Sequence, residues 1–135
     1  MADILRLRLV TPERLLLDEE VDEVTAPGTV GEFGVFPDHA TFLSSLQPGR
    51  LSYKQNGQTR SLAVSDGFAE VVDNLMTVLC TEAAYADEID AAQAQEAVRE
   101  AEAALGNLSP TDAGFEDAHN TLRLAQVRLD VASNG

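Results

Sequence analysis

Two histidines, a single cysteine and one dense acidic run are the residues of this chain whose types can do chemistry, and their spacing argues against it. His39 and His119 lie in different halves, without the ligand spacing of a metal site. His39 directly follows Asp38. Neighbours on a strand point to opposite faces, so the pair reads as a loop or edge histidine with a structural hydrogen bond, not as a base held by its carboxylate. Cys80 closes the apolar run Leu75 to Cys80 with no cation nearby to lower its pKa, the setting of a buried small hydrophobe. The run Asp18-Glu19-Glu20-Val21-Asp22-Glu23 lacks the spaced oxygen ligands and the glycine of a calcium loop, and it reads as a solvated strand or edge. No Gly-x-x-x-x-Gly-Lys-Ser/Thr sequence is present, which excludes a P-loop. Nothing here brings together a nucleophile and base, a carboxylate pair or a metal cluster. The expectation is a chain that grips other proteins, with no catalytic residue, no metal and no cofactor.

Charge narrows the partners. The chain carries a net −14, with nine scattered basic residues and no basic run. Nucleic acid calls for clustered Lys and Arg, so it is not an expected partner. Anionic headgroups repel such a surface, and no apolar run approaches the roughly 20 residues of a membrane helix. Direct membrane insertion is therefore not expected, and any attachment to a membrane would go through another protein. Met1-Ala2-Asp3 lacks the basic and apolar regions that open a secretory signal. One cysteine cannot form an internal disulfide, which fits a reducing compartment such as a bacterial cytoplasm.

The elements that position these residues change period near Asp87. Leu5, Leu7 and Leu9 alternate with Arg6 and Arg8, the pattern of a half-buried strand, and Thr11-Pro12-Glu13-Arg14 breaks it. Leu15 to Leu17 and Val21 to Ala26 give two further strands, the second ended by Pro27-Gly28. Leu51 to Gln55 and Gln58 to Ala63 flank Asn56-Gly57, the pair best suited to a two-residue type I′ hairpin turn. Gly67 to Val72 and Leu75 to Cys80 flank Asp73-Asn74 in the same way. Beyond Asp87 the apolar steps are helical. Ala91, Ala94, Val98, Ala101, Leu105 and Leu108 share one face, and Phe115, Ala118, Leu122, Ala125, Leu129 and Ala132 share another. Gly106-Asn107 ends the first helix, and Ser109-Pro110-Thr111-Asp112 offers a cap and first turn for the second. The expected fold is β then α: an N-terminal β-sandwich or flattened barrel over residues 1–86, then a C-terminal antiparallel two-helix hairpin over 87–135. The change of period implies separate cores, so the sandwich is expected to stay folded without the hairpin. Each half carries a net −7, which makes neither the evident electrostatic partner of the other. The hairpin's seam is rich in alanine and thin, which suits an element that opens or swings.

One segment is denser than a simple hairpin requires. Gly31-Glu32-Phe33-Gly34-Val35-Phe36-Pro37-Asp38-His39-Ala40 combines glycines, apolar residues and a proline corner; from the residues alone it reads as a strand with a bulge ending at that corner. It closely resembles the signature of the epsilon subunit of F-type ATP synthases. Val10-Thr11-Pro12, Leu46-Gln47-Pro48-Gly49-Arg50-Leu51, Ser65-Asp66-Gly67-Phe68-Ala69-Glu70-Val71 and Ile89-Asp90-Ala91-Ala92-Gln93-Ala94 follow the family's order along essentially the whole chain.

The resemblance implies a non-catalytic rotor subunit. Its sandwich would grip the gamma subunit and rest on the c-ring, coupling proton-driven rotation to ATP synthesis at the cytoplasmic side of the cell membrane as a peripheral part of the complex. By position, Gly31 and Glu32 resemble the residues on the c-ring side, and His39 resembles the family histidine close to gamma. The family's hairpin folds on the sandwich or extends toward the alpha and beta catalytic subunits to inhibit hydrolysis. Arg99, Arg123 and Arg128 are the side chains of this hairpin available for such contacts, within a segment of net −7, so weak inhibition is expected. Some members bind ATP through an Ile/Leu-Asp-x-x-Arg-Ala motif. Ile89, Asp90 and Ala94 match it and Arg128 resembles a second-helix arginine, but Gln93 replaces the motif arginine and removes a phosphate partner. Weak ATP binding or none is expected. Asp66 replaces a family glycine, a change that αL-tolerant Asp is expected to absorb in a local turn.

Overall fold

Alternation sets the first strand. Leu5, Leu7 and Leu9 are fully buried while Arg6 and Arg8 stay on the wet face, forming β1 (Leu5–Val10). This computed structural model describes residues 4–134, so the Met1-Ala2-Asp3 segment lies outside the described residues. Thr11 and Arg14 exchange backbone hydrogen bonds of 3.0 and 3.3 Å, which turns the chain into β2 (Leu15–Val21). There follow β3 (Glu23–Gly28), β4 (Gly31–Val35), β5 (Phe42–Leu46), β6 (Gly49–Gln55), β7 (Gln58–Val64), β8 (Gly67–Val72), β9 (Leu75–Cys80) and β10 (Ala83–Tyr85). The strand order is β10-β7-β6-β3-β5-β8-β9-β1-β2, with β4 paired to β3 alone. Every pairing is antiparallel except that of β1 with β9. The sheet folds over until β2 meets β6, where Asp22 N–H donates to Lys54 O at 2.7 Å and Gln55 Nε2 donates to Glu20 O at 2.8 Å. Inside lies one core built wholly from strands, with Leu5, Leu46, Leu51, Tyr53, Leu62 and Met76 among its largest members.

Both expected tight turns form. Asn56 and Gly57 have φ of 53° and 79°, and Asp73 and Asn74 have 49° and 62°, as two-residue type I′ turns require. Several details differ from the sequence reading. Pro27 and Gly28 lie inside β3 and pair with Glu32 and Gly31; the chain turns instead at Thr29-Val30. Pro27 is tolerated there because its missing N–H falls where no ladder bond to β4 is due. Strands β5 and β10 were not anticipated: β5 mixes Phe42 and Leu46 with two serines, and β10 has only three residues. Asp38 and His39 sit in a turn after β4, not on a strand, with Asp38 at φ 66°. Asp66 is not among the positive-φ residues, so its αL tolerance is not used.

The helices are α1 (Ala91–Gly106) and α2 (Phe115–Asn134). Ser109 does not cap α2. The Asp112 carboxylate reaches back to Ser109 N–H at 2.7 Å, but this closes a separate turn, and Gly114 at φ 86° then redirects the chain before Phe115. The stripes meet as expected, with Ala94, Ala101 and Ala125 buried. Val131, fully buried, belongs to neither stripe. It joins Ala63, Ala84, Ile89 and Ala94 in a second cluster with Val127, Leu129 and Ala132 packed against it. The expectation of separate cores therefore needs correction. The sandwich has a core of its own, but the hairpin shares its second one with β7 and β10, because α2 presents apolar side chains in two directions.

Gly67 faces the tightest backbone approach. A Cβ there would meet Leu79 O at 2.0 Å and Cys80 Cα at 3.0 Å, both main-chain atoms that cannot swing aside. Gly67→Ala is expected to destabilise the chain by about 1–3 kcal/mol, read as a lower urea midpoint at unchanged slope. A midpoint equal to that of the parent would show that the β8–β9 ladder is looser than this.

Candidate functional site

The outward side of the sheet carries an apolar row. Register places Leu15 opposite Val10, Val10 opposite Leu79, and Leu79 opposite Phe68, so the four side chains cross β2, β1, β9 and β8 in line. Phe68, Leu15 and Leu79 are 59%, 55% and 51% exposed. Val10, Leu79 and Phe68, with Pro12 and Thr11, line a shallow apolar groove at one end of the sheet. The neighbouring row is charged: Asp18 bridges Arg6 at 2.7 Å and Arg8 at 3.2 Å, and the Arg6 guanidinium holds the Asp18 carboxyl below its usual range. The sequence contained the signal for Phe68. In Gly67-Phe68-Ala69-Glu70-Val71, the small residues Ala69 and Val71 face the core, which leaves the phenylalanine on the wet side.

Strand β4 separates the residues carried over by resemblance. Gly31 and Glu32 lie at its start, beside the fully exposed Val30. His39 lies beyond its end, where Nδ1 is 2.8 Å from Ala40 O and the ring meets Phe42 edge-on at 5.7 Å. Asp38 N–H donates to Asn74 Oδ1 at 2.6 Å, which fixes this corner to the β8–β9 turn. His39 thus has the structural hydrogen bond expected of it. Cys80 is buried, and burial pushes its thiol pKa up, away from reactivity. No group of His, Cys, Asp or Glu among the described residues could hold a metal ion.

At the start of the hairpin, the residues matching the nucleotide motif have structural tasks. Ile89 is buried in the cluster shared with the sheet. Asp90 is the N-cap of α1, its Oδ1 accepting from Ala92 N–H at 2.9 Å and Gln93 N–H at 3.1 Å. Arg128 lies close enough to lower the Glu88 pKa. Arg99 pairs with Glu96 on α1 at 2.6 Å, and Arg123 and Arg128 are half-buried, so the three arginines do not form one basic face. Tyr85 sits under this junction with its hydroxyl 3.0 Å from that of Tyr53, and burial, then that contact, raises its pKa.

Among the described residues two ion pairs tie the hairpin to the sandwich, and sequence spacing held no sign of either. Arg14 Nη2 meets Glu88 Oε2 at 2.8 Å. Arg50 Nη2 meets Asp130 Oδ2 at 2.9 Å and also donates to Asp130 O at 3.3 Å, near the C-terminal end of α2. The Arg14 hydrogen bond, then the Tyr85 N–H, lowers the Glu88 pKa. A depressed carboxylate pKa stabilises the fold above the ordinary carboxylate range, and that contribution is lost as pH falls through the folded value. Glu88→Gln is expected to remove under about 1 kcal/mol at neutral pH and to flatten the acid limb of a stability–pH curve. An unchanged acid limb would show that the pair is silent.

Comparison with known proteins agrees with this architecture. Residues 4–86 match the family described as ATP synthase, Delta/Epsilon chain, beta-sandwich domain, and residues 87–133 match ATP synthase, Delta/Epsilon chain, long alpha-helix domain. An ATP synthase epsilon chain from Geobacter metallireducens is 49% identical over 98% of this chain and 96% of that one. That of Geobacter sulfurreducens is 48% identical over the same shares. Among solved structures, a chain of the Euglena gracilis mitochondrial ATP synthase, OSCP/F1/c-ring, superposes with a TM-score of 0.81 at 27% identity, covering 99% of this chain and 84% of that one. A chain of the Tetrahymena thermophila central stalk and c-ring shares the fold, with a TM-score of 0.67 at 18% identity over 95% and 96% of the two chains. The sandwich, the hairpin docked on it and the matches along both halves make this chain a member of the ATP synthase delta/epsilon chain family.

Proposed function

We propose that the chain is a non-catalytic subunit of the ATP synthase central stalk, binding the gamma subunit and resting on the c-ring so that proton-driven rotation is coupled to ATP synthesis. The observation that carries this reading is the apolar row of Leu15, Val10, Leu79 and Phe68. Large apolar side chains aligned on the wet face of a sheet serve a protein partner better than they serve solubility. Gamma is that partner in this reading; His39, tied through Asp38 to the β8–β9 turn at the other end of that strand pair from Phe68 and Leu79, would meet it at a separate place, and Gly31 and Glu32, at the same end as Phe68, would face the ring. The relatives, named as ATP synthase epsilon chains, support the assignment. No helix among the described residues is long and apolar enough to cross a membrane, which accords with a peripheral position on the cytoplasmic side, held through other subunits.

The hairpin has a second, weaker role in this reading. With its arginines dispersed, it inhibits ATP hydrolysis only slightly at the alpha and beta subunits. ATP is not a resident ligand, because Asp90 is engaged as a helix cap and Gln93 carries no charge.

Phe68→Asp is expected to weaken binding to purified gamma roughly 10- to 100-fold while leaving thermal unfolding unchanged, as the side chain is mostly exposed. Calorimetric titration measures this, and binding equal to the parent would exclude the row as the gamma surface. Deleting residues 87–135 is expected to leave a folded sandwich, less stable by about 1–2 kcal/mol where Ala63 and Ala84 become uncovered. Within the assembled enzyme the same deletion is expected to raise ATPase activity only modestly. A many-fold rise would show that three dispersed arginines are enough for inhibition.

A further inference from the structure

Among the described residues the path of paired strands ends at β2 and at β10, and both ends are closed. At β2 the run Asp18, Glu19 and Glu20 guards the edge, and the strand's end is tied to β6 by Gln55 and Lys54. At β10 the edge is three residues long and lies beneath the hairpin, with Ala84 in the shared cluster. Natural edges are usually blunted in such ways, because unpaired main-chain groups invite another strand. Strand β4, which lies off that path, is different. Among the described residues it pairs with β3 and with no other strand.

The main-chain groups left over on β4 follow from the ladder. Opposite Glu32 stands Pro27, which has no N–H and whose carbonyl accepts from Gln47 N–H at 3.0 Å on the far side of β3. Glu32 is therefore at a position without ladder bonds to β3, and two-residue alternation puts Gly34 in the same class. Their N–H and C=O groups face away from β3. Gly31, Glu32 and Gly34 are all exposed. The edge carries neither lysine nor proline within Gly31–Val35. None of the ion pairs among the described residues uses Glu32. On the core side, Phe33 is half-buried and meets the Phe42 ring edge-on at 5.1 Å, which leaves part of its face for a further side chain.

We infer that the β4 edge is a strand-addition site, which takes up an extended segment of another subunit of the assembled enzyme through the main-chain groups of Glu32 and Gly34. This rests on the proposed function for the identity of the assembly, and it adds the mode of contact. Charge selects the occupant. A second copy of this chain paired edge to edge would bring its own Glu32 to this edge and set acid against acid. A segment with a Lys or Arg opposite Glu32 and an apolar side chain over Phe33 fits both faces of the edge.

Hydrogen–deuterium exchange on the full-length chain, free and within assembled ATP synthase, tests this. The Glu32 and Gly34 amides are expected to slow by about 100-fold or more on assembly. The Gly31, Phe33 and Val35 amides, already bonded to β3, change far less. Equal rates for Glu32 and Gly34 in both states would overturn the proposal, while the gamma titration with Phe68→Asp judges the subunit assignment separately. Gly34→Pro removes one outward N–H at a position where an edge strand tolerates proline. It is expected to keep the parent's unfolding temperature and to lower affinity for the rest of the enzyme about tenfold. Parent-like assembly by a folded Gly34→Pro would also overturn the proposal, and should that variant fail to fold, the exchange comparison on the parent decides.

Discussion

Between Glu23 and Gly28, one strand is shared among three neighbours. The first half of β3 pairs with β6, its last residue pairs with β5, and Val24 to Gly28 pair with β4 on the other side. A flat sheet cannot do this. The strand must bend where its partner changes, and that bend lets the chain of hydrogen-bonded strands double back as two layers around one core. Pro27 and Gly28 sit at the change of partner. Gly28 is there because a Cβ would meet Gly31 O at 2.6 Å, and Pro27 because the adjoining Gly49 leaves room for its ring. The apolar row outside, the core inside and the unpaired edge of β4 all inherit their positions from that corner.

Much of this was legible in the sequence wherever a local rule was strong enough to act alone. Asn56-Gly57 and Asp73-Asn74 fixed two hairpins because few residues accept positive φ at successive positions. The alternation of Leu5, Leu7 and Leu9 gave β1 and its inward face. What escaped was set by tertiary contact. β5 carries two serines that neither alternate cleanly nor mark a turn, and it is a strand because β8 lies beside it. Val131 lies off the helical stripe and is buried because a sheet passes beneath it. Ser109 and Asp112 made a sound cap by spacing, and Gly114 annulled it. Of the candidate site, the segment from Gly31 to His39 was visible, whereas the row through Phe68 needed strand register before its members could be seen as neighbours.

The two halves show how little net charge says about contact. Both are equally acidic, yet they dock, because the seam is made of Ala63, Ala84, Ile89 and Val131 and because local charges are matched. Arg14 and Arg50, two of the few cations of the sandwich, stand against Glu88 and Asp130 of the helical half. Exposed pairs of this kind contribute modestly and weaken with salt. Small apolar side chains supply close approach without great area, so docking is held by several modest contacts rather than one large one.

Arg50 has a further effect on α2 itself. That helix has no basic residue in its last turn. The cation that complements the negative end of its dipole comes from β6, through Asp130. A helix that borrows its terminal charge from another layer keeps that charge only while it stays in place. Moving α2 off the sandwich would leave its final turns both uncovered and uncompensated, and they would fray. Displacement and partial melting of this helix are therefore one cooperative event, and an undocked hairpin would be shorter in ordered length than the docked one, with a ragged end in place of a rigid arm.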